Sequence, residues 1–190
     1  RRGILIGCLD VMTLNLSLPA LYKLADPDFT TDKDFDEAKN IRRYAGRIIS
    51  AATAIEHMMA NIVMNTIFSE VQGNRDLVLG SVIHSDWCSF SSKRKLLDVA
   101  FTHFKLVKGD ERAELESLLK KVMQYRNAFA HGVLGHNIDQ QELHYFEGSP
   151  KTAVLDASYF SKLEVQFNRA WEILGSIEKR SKGIKRTCAE

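Results

Sequence analysis

The sequence predicts an all-α protein, built as an antiparallel helical bundle of four to five main helices. Apolar residues recur at intervals of three and four along several long stretches, which is the pattern of helices with one buried face. Only 3 of the 190 residues are proline and 11 are glycine, so the chain has few of the turn residues that an all-β fold needs. A chain of this length, 45% hydrophobic, can form one domain with a core that needs no disulfide or metal.

Residues 1–35 are expected to precede the bundle as an N-terminal segment. Two arginines and the apolar run from Ile4 to Leu9 are similar to the start of a signal peptide, but Asp10 ends the run far short of a membrane span. Two interpretations of residues 1–11 stay open: they belong to the protein, or translation starts at Met12. Residues 25–36 are acidic and rich in turn formers, so they are expected to form a loop.

The bundle is expected to span residues 36–180 and to begin with its longest helix, from about residue 36 to residue 70. Apolar residues follow one face of this helix at alternating spacings of four and three: Ile41, Ala45, Ile48, Ala52, Ile55, Met59 and Ile62. At about 1.5 Å per residue the helix is on the order of 50 Å long, so other helices are expected to pack along it. A short helix is expected near residues 75–83.

Two further helices are predicted by capping residues and apolar stripes. Ser91 and Ser92 offer N-caps to the first, and Asp110 to the second. The first helix places four apolar residues on one face: Leu97, Ala100, Phe101 and Phe104. The stripe of the second comprises Leu115, Leu119, Val122 and Phe129. Gly132 stands where a left-handed C-terminal cap belongs, so the second helix is expected to end there.

A small insertion is expected after residue 132, either a hairpin that turns near residues 137–139 or an irregular loop. Gly148, Ser149 and Pro150 are expected to end it. Asp156 then offers an N-cap to the last helix, whose apolar residues again recur at three and four: Phe160, Leu163, Phe167, Trp171, Leu174 and Ile177. Residues 181–190 are expected to form a basic tail.

Arg126 interrupts the apolar pattern near the end of the second of these helices. At 100° per residue it falls about 20° from Leu115, inside the stripe. A charged side chain is rarely buried without a partner, because its desolvation costs several kcal/mol. Arg126 is therefore expected to have a carboxylate partner, a cleft or a second subunit beside it. Glu56, beside the stripe of the longest helix, is the candidate partner; the alternative is that Glu56 and His57 are exposed on its outer face.

Asn127 and His131 are four residues apart, so they share a face of the same helix. His131 is the last residue before the expected cap, where the partial negative charge of the helix end favours a protonated imidazole. Two cationic groups near one helix end suit a phosphate, but they equally suit structural ion pairs. Both interpretations stay open on the residues alone.

The segment "RNAFAHG" resembles the signature of the HEPN superfamily (higher eukaryotes and prokaryotes nucleotide-binding). The signature has an arginine, often followed by asparagine or aspartate, and a histidine after four to six further residues; Arg126, Asn127 and His131 match it. The order of elements is similar too, with a long first helix, the segment "SSKRKLLDVAF", the motif at the end of a later helix, and a final helix. The resemblance in architecture covers residues 36–180.

This resemblance implies a metal-independent endoribonuclease whose active site forms where two motifs meet across a homodimer. His131 would act as general acid or base, Arg126 would stabilise charge on the scissile phosphate, and Asn127 would orient the histidine or bind a phosphate oxygen. Such a protein could be a toxin or a phage-defence effector with an antitoxin or regulatory partner. The alternative is a non-catalytic HEPN-like scaffold that binds a nucleotide, RNA or a partner protein.

The remaining features bear on partners and location. The net charge is only +2, so RNA would have to be met by local clusters, and Lys120 and Lys121 are the best placed. The three cysteines are far apart and form no metal-binding or C-x-x-C spacing. They indicate reduced thiols in the cytoplasm, and no cofactor or metal is expected.

Overall fold

The computed structural model describes residues 32–69, 74–85, 88–137 and 140–184. Four long helices are present in this part of the chain: α1 (Asp32–Thr66), α3 (Phe90–Phe104), α4 (Gly109–His131) and α5 (Ala157–Lys182). A short helix α2 (Arg75–Val78) continues into a π-helical turn at Leu79–Ile83. Three strands lie between α4 and α5: β1 (Val133–Asn137), β2 (Gln140–Phe146) and β3 (Pro150–Val154). The protein is therefore mostly helical with a small insertion, as the sequence predicts.

The chain forms two compact units. The first contains α1 up to Ala52, α4 from Gln124, the three strands and α5 up to Phe167. The second contains α1 from Thr53, the short helix, α3, α4 up to Met123 and the remainder of α5.

The second unit has a core made by the apolar stripes of its helices. All four long helices and the π-helical turn contribute fully buried side chains, which include Ile55, Met59 and Ile62 of α1, Ile83 of the turn, Leu97 of α3, Leu115, Leu119 and Val122 of α4, and Leu174 and Ile177 of α5. Ion pairs join the helices at the surface, where Arg169 binds Glu114 at 2.7 Å and Arg180 binds Glu111 at 2.9 Å. The stripes that define these helices in the sequence are thus the surfaces that they bury.

The start of α3 differs from the expectation. Ser89 is the N-cap, because its hydroxyl accepts a hydrogen bond from the Ser92 backbone N–H at 3.2 Å. Ser91 and Ser92, the predicted caps, lie in the first turn of the helix. Asp110 likewise lies in the first turn of α4, which begins at Gly109, and is not the residue that precedes it. An acidic side chain in the first turn still interacts favourably with the positive end of the helix dipole.

In the first unit, aromatic and aliphatic side chains of α1, α4, β2 and α5 pack together. Tyr44 of α1 stacks on Phe160 of α5 with ring centroids 4.5 Å apart. The Asp156 carboxylate accepts a hydrogen bond from the Tyr159 backbone N–H at 2.6 Å, so the predicted cap of α5 is confirmed. Its buried residues include Ile41 and Ile48 of α1, Phe129 of α4, Leu143 of β2, and Leu163 and Phe167 of α5.

The insertion is a three-stranded antiparallel sheet in the order β1-β2-β3. Val133 pairs with His144 and Leu134 with Leu143, while Leu143 pairs with Ala153 and His144 with Thr152. The predicted hairpin is therefore confirmed, although most of its expected turn, residues 138 and 139, lies outside the described residues. The expectation that Gly148, Ser149 and Pro150 end the insertion is wrong. They form a second turn, with Gly148 at φ 70°, and Pro150 opens β3.

Candidate functional site

The three motif residues occupy the last turns of α4, within the first unit. Asn127 and His131 have exposed side chains, and Arg126 is half-buried. The Arg126 guanidinium donates a hydrogen bond from NH1 to the Asn127 side-chain oxygen at 3.1 Å. The guanidinium, the amide and the imidazole are therefore all within reach of solvent at one helix end.

Contrary to expectation, Arg126 is not buried in the stripe of α4. Leu115, Leu119 and Val122 are fully buried and Phe129 nearly so, but Arg126 between them is not. Its backbone position matches the stripe, yet the long aliphatic stem carries the charged group to the surface. Arg126 consequently has no need of a buried carboxylate.

Glu56 has a different partner from the one expected. Lys93 Nζ of α3 donates a hydrogen bond to Glu56 Oε1 at 2.5 Å, within the second unit. The side chains of Lys93 and Glu56 are only 5% and 20% exposed. Because this partly buried pair neutralises the carboxylate, the assignment of Glu56 as partner of Arg126 is withdrawn. His57, in contrast, is exposed and lies against His84, with ring centroids 4.4 Å apart.

Gly132 ends α4 in a way that the sequence did not predict. The expected left-handed cap is absent, since the described glycines with positive φ are Gly109 and Gly148. The Gly132 N–H donates to the Ala128 carbonyl at 2.8 Å, and the chain then enters β1. A Cβ at Gly132 would press on that carbonyl and lie 2.7 Å from Leu143 Cδ1. Glycine is needed here because the Ala128 carbonyl of α4 and the adjoining strand β2 leave no room for a Cβ, and not because of a positive φ.

A second group of polar side chains lies on the exposed face of the sheet beside this helix end. His144 Nδ1 and Thr152 Oγ1 are 3.0 Å apart and share a hydrogen bond. His144 Nε2 is 3.3 Å from Glu142 Oε2, which gives an ion pair when the imidazole is protonated. These partners of His144 are not evident from the sequence. The available signal was the alternation of Glu142 and His144, which places both on one face of any strand.

The aromatic residues beside the motif belong to the packing of the first unit. Tyr125 meets Tyr159 edge-on at 5.9 Å, and Phe129 lies 6.3 Å from Tyr159. Burial raises the pKa of Tyr125, and Tyr145 adds to this shift. Burial also raises the pKa of Tyr159 strongly, with smaller contributions from Tyr125 and Tyr145. These hydroxyls therefore stay protonated near neutral pH and do not act as bases.

The basic residues divide into exposed and buried ones. Lys120 and Lys121, the predicted RNA contacts, are exposed on α4 in the second unit. Arg47 and Lys93 each belong to a basic cluster in the sequence, but both side chains are buried. Burial lowers the pKa of Arg47, and the neighbouring Arg43 lowers it further. Fewer basic side chains are therefore exposed at the surface than the clusters in the sequence suggest.

Within the described ranges, no cluster of three or more histidine, cysteine, aspartate or glutamate side chains is arranged to hold a metal ion. Over those same residues, no helix combines the length and the hydrophobicity needed to cross a membrane. Cys88 is a free thiol in the second unit, and burial raises its pKa. Comparison of the chain with family models, curated proteins and solved structures gives no match in any of the three.

Proposed function

We propose that the protein is a metal-independent endoribonuclease of the HEPN type that acts in the cytoplasm as a toxin or phage-defence effector. The observation that carries this proposal is the end of α4, where Arg126, Asn127 and His131 reach solvent together. A purely structural arginine would be expected to bind a buried carboxylate. The hydrogen bond from Arg126 instead ends on Asn127, whose side chain is itself exposed.

The chemistry of RNA cleavage suits these three groups. The ribose 2′-OH attacks the adjacent phosphorus, so a base must take its proton and a cation must stabilise the charge that develops on the phosphate. His131 is the acid–base group, because imidazole exchanges protons near neutral pH. Arg126 binds the phosphate oxygens through its guanidinium. Asn127 holds the guanidinium by the 3.1 Å hydrogen bond and presents its amide N–H groups to the substrate.

The proposal includes a homodimer in which the two "RNAFAHG" segments share a cleft, and an antitoxin or regulatory protein as a further partner. The exposed Lys120 and Lys121 contact RNA phosphates. Both residues lie on the same helix as the motif, six and five residues before Arg126 in the chain.

The test compares purified wild type with His131→Ala on a mixed RNA substrate in the presence of EDTA. His103→Ala is the matched control, because His103 is also an exposed histidine near the end of a helix. Wild type and the control should cleave at equal rates, and His131→Ala should lose roughly 10²–10⁴-fold in rate. Equal cleavage by His131→Ala would assign the activity to another site or a contaminant. No cleavage by any of the three proteins would favour the non-catalytic scaffold.

A further inference from the structure

We propose that His144 is a second catalytic acid–base group, which protonates the leaving 5′-oxygen from Nδ1, and that Glu142, at Nε2, is its positioning residue. This inference rests on the proposed ribonuclease function. It assigns the two proton transfers of the reaction to two different histidines of the first unit.

The backbone brings His144 next to the end of α4. His131 is followed directly by Gly132 and then by β1, whose first residue, Val133, pairs with His144 of β2. A Cβ on Gly132 would lie 3.0 Å from the His144 carbonyl oxygen. The residue after His131 is thus in contact with the backbone of His144, which explains why no larger residue fits between the motif and the strand.

The His144 imidazole lies on the accessible side of the sheet. Side chains alternate along a strand, and Leu143, the residue before it, is fully buried. Two neighbours on its face are open to solvent, with Val133 69% and Phe146 75% exposed. His131 is exposed as well, so both imidazoles are open to an RNA ligand.

The ring is held by contacts from all three strands. Thr152 of β3 binds Nδ1 at 3.0 Å, and the Glu142 carboxylate lies 3.3 Å from Nε2. On β1 the ring occupies the space above Gly135, where a Cβ would come within 2.7 Å of Nε2. Gly135 pairs with Glu142 and not with His144, so the ring leans diagonally across the sheet toward β1. The Glu142 carboxylate faces the ring and accepts a hydrogen bond from Nε2–H when the imidazole is protonated.

The two histidines complete the proton balance of the reaction. The 2′-oxygen forms a bond to phosphorus while His131 takes the 2′-OH proton. The bond from phosphorus to the 5′-oxygen breaks. That oxygen replaces the Thr152 hydroxyl at Nδ1 of the His144 imidazolium and takes the Nδ1 proton, while Glu142 stays at Nε2. The products are a 2′,3′-cyclic phosphate and a 5′-hydroxyl, and no other reactant is required.

The test uses two dinucleotide or oligonucleotide substrates that differ in one atom. In one the leaving atom is the natural 5′-oxygen, and in the other it is sulfur, which leaves as a thiolate without protonation. On the natural substrate, His144→Gln should lower kcat by roughly 10²–10⁴-fold with little change in KM. On the 5′-thio substrate, His144→Gln should recover a rate close to wild type, whereas His131→Ala should stay slow. Glu142→Gln should give a smaller loss of kcat that the 5′-thio substrate also relieves.

Each other result has a separate meaning. If wild type cleaves and His131→Ala does not, but His144→Gln cleaves the natural substrate at the wild-type rate, His144 has no catalytic part and the proposed function stands. A slow His144→Gln that the 5′-thio substrate fails to rescue also overturns the assignment. An inactive wild type removes the proposed function and this inference with it. Circular dichroism of His144→Gln and of the His103→Gln control excludes a loss of fold as the cause.

Discussion

Among individual residues, Gly132 controls how closely the sheet can approach the end of α4. Its missing Cβ leaves room for the Ala128 carbonyl, the Leu143 side chain and the His144 backbone. Because this crowding involves backbone atoms, it cannot be relieved by rotation of a side chain. The position of the sheet beside the motif therefore depends on one glycine.

We expect Gly132→Ala to lower the free energy of unfolding by about 1–3 kcal/mol, the usual cost of forcing a methyl group into a packed site. The matched control is Gly46→Ala in α1, where a Cβ would meet nothing within 4 Å. That change should raise stability by about 0.5–1 kcal/mol, because alanine is the better helix former. Urea denaturation measures both. Equal effects of the two substitutions would contradict the close approach at Gly132.

The partly buried pair of Lys93 and Glu56 gives a second expectation. Lys93→Met should cost about 2–3 kcal/mol of stability, because it leaves a carboxylate without its cation in a site with little access to water. The double variant Lys93→Met/Glu56→Gln should be closer to wild type, since neither charge remains. Chemical denaturation of the single and double variants tests this. A double variant no more stable than Lys93→Met would show that the charge pair is not the cause.

Sequence reasoning identified the motif residues but not the contacts that they make. The helical spacing correctly predicts that the backbone of Arg126 lies in the stripe. It does not predict the exposure of Arg126, because the long side chain can extend to the surface. The partners of His144 depend on the strand register, which a single sequence does not specify. Lys93 lies in a run of three basic residues, and only the packing of α3 determines which of them is buried.

Among the secondary-structure elements, the strong apolar periodicity was sufficient to predict the long helices. The spacing along α1, α4 and α5 predicted both their existence and their buried faces, while several boundaries moved by a few residues. Strand β3 was not predicted, because it is an edge strand with four of its five residues exposed. Such a strand lacks the alternation of apolar and polar residues that marks a half-buried one.

The contact between α1 and the π-helical turn predicts a dependence of stability on pH. Burial lowers the pKa of His84, and the charges of His57 and Lys93 lower it further, while Glu56 opposes them. As the pH falls through the ordinary histidine range, the unfolded chain binds the proton before the folded chain does. The free energy of unfolding should therefore decrease between about pH 8 and about pH 5.5.

Replacement of His84 isolates this contribution. His84→Gln should show a smaller decrease in stability over the same pH interval, and His103→Gln should behave as wild type. Urea denaturation at both pH values gives the comparison. A decrease of the same size in all three proteins would mean that another group is responsible.

For the whole molecule, the proposed homodimer gives the next expectation. Ala130, an exposed residue between Arg126 and His131, should form an intermolecular cross-link efficiently when replaced by cysteine and treated with a short bifunctional reagent. Ala113→Cys, at another exposed alanine of α4, is the control and should not. Light scattering at micromolar concentration should report a dimer for both. A monomer, or cross-linking through Ala113 alone, would contradict a shared cleft at the motif.

In the proposed reaction, the end of α4 is an acid–base site that uses the ribose 2′-OH of RNA as the nucleophile. The most direct measurement is the terminal group of the cleavage products, determined by mass spectrometry after reaction in EDTA. Wild type should leave 2′,3′-cyclic phosphate and 5′-hydroxyl ends, His131→Ala should leave neither, and a 2′-deoxy substitution at the scissile position should block cleavage there. Cleavage that persists at the 2′-deoxy position, or products with 5′-phosphate ends, would contradict a reaction in which the 2′-OH is the nucleophile.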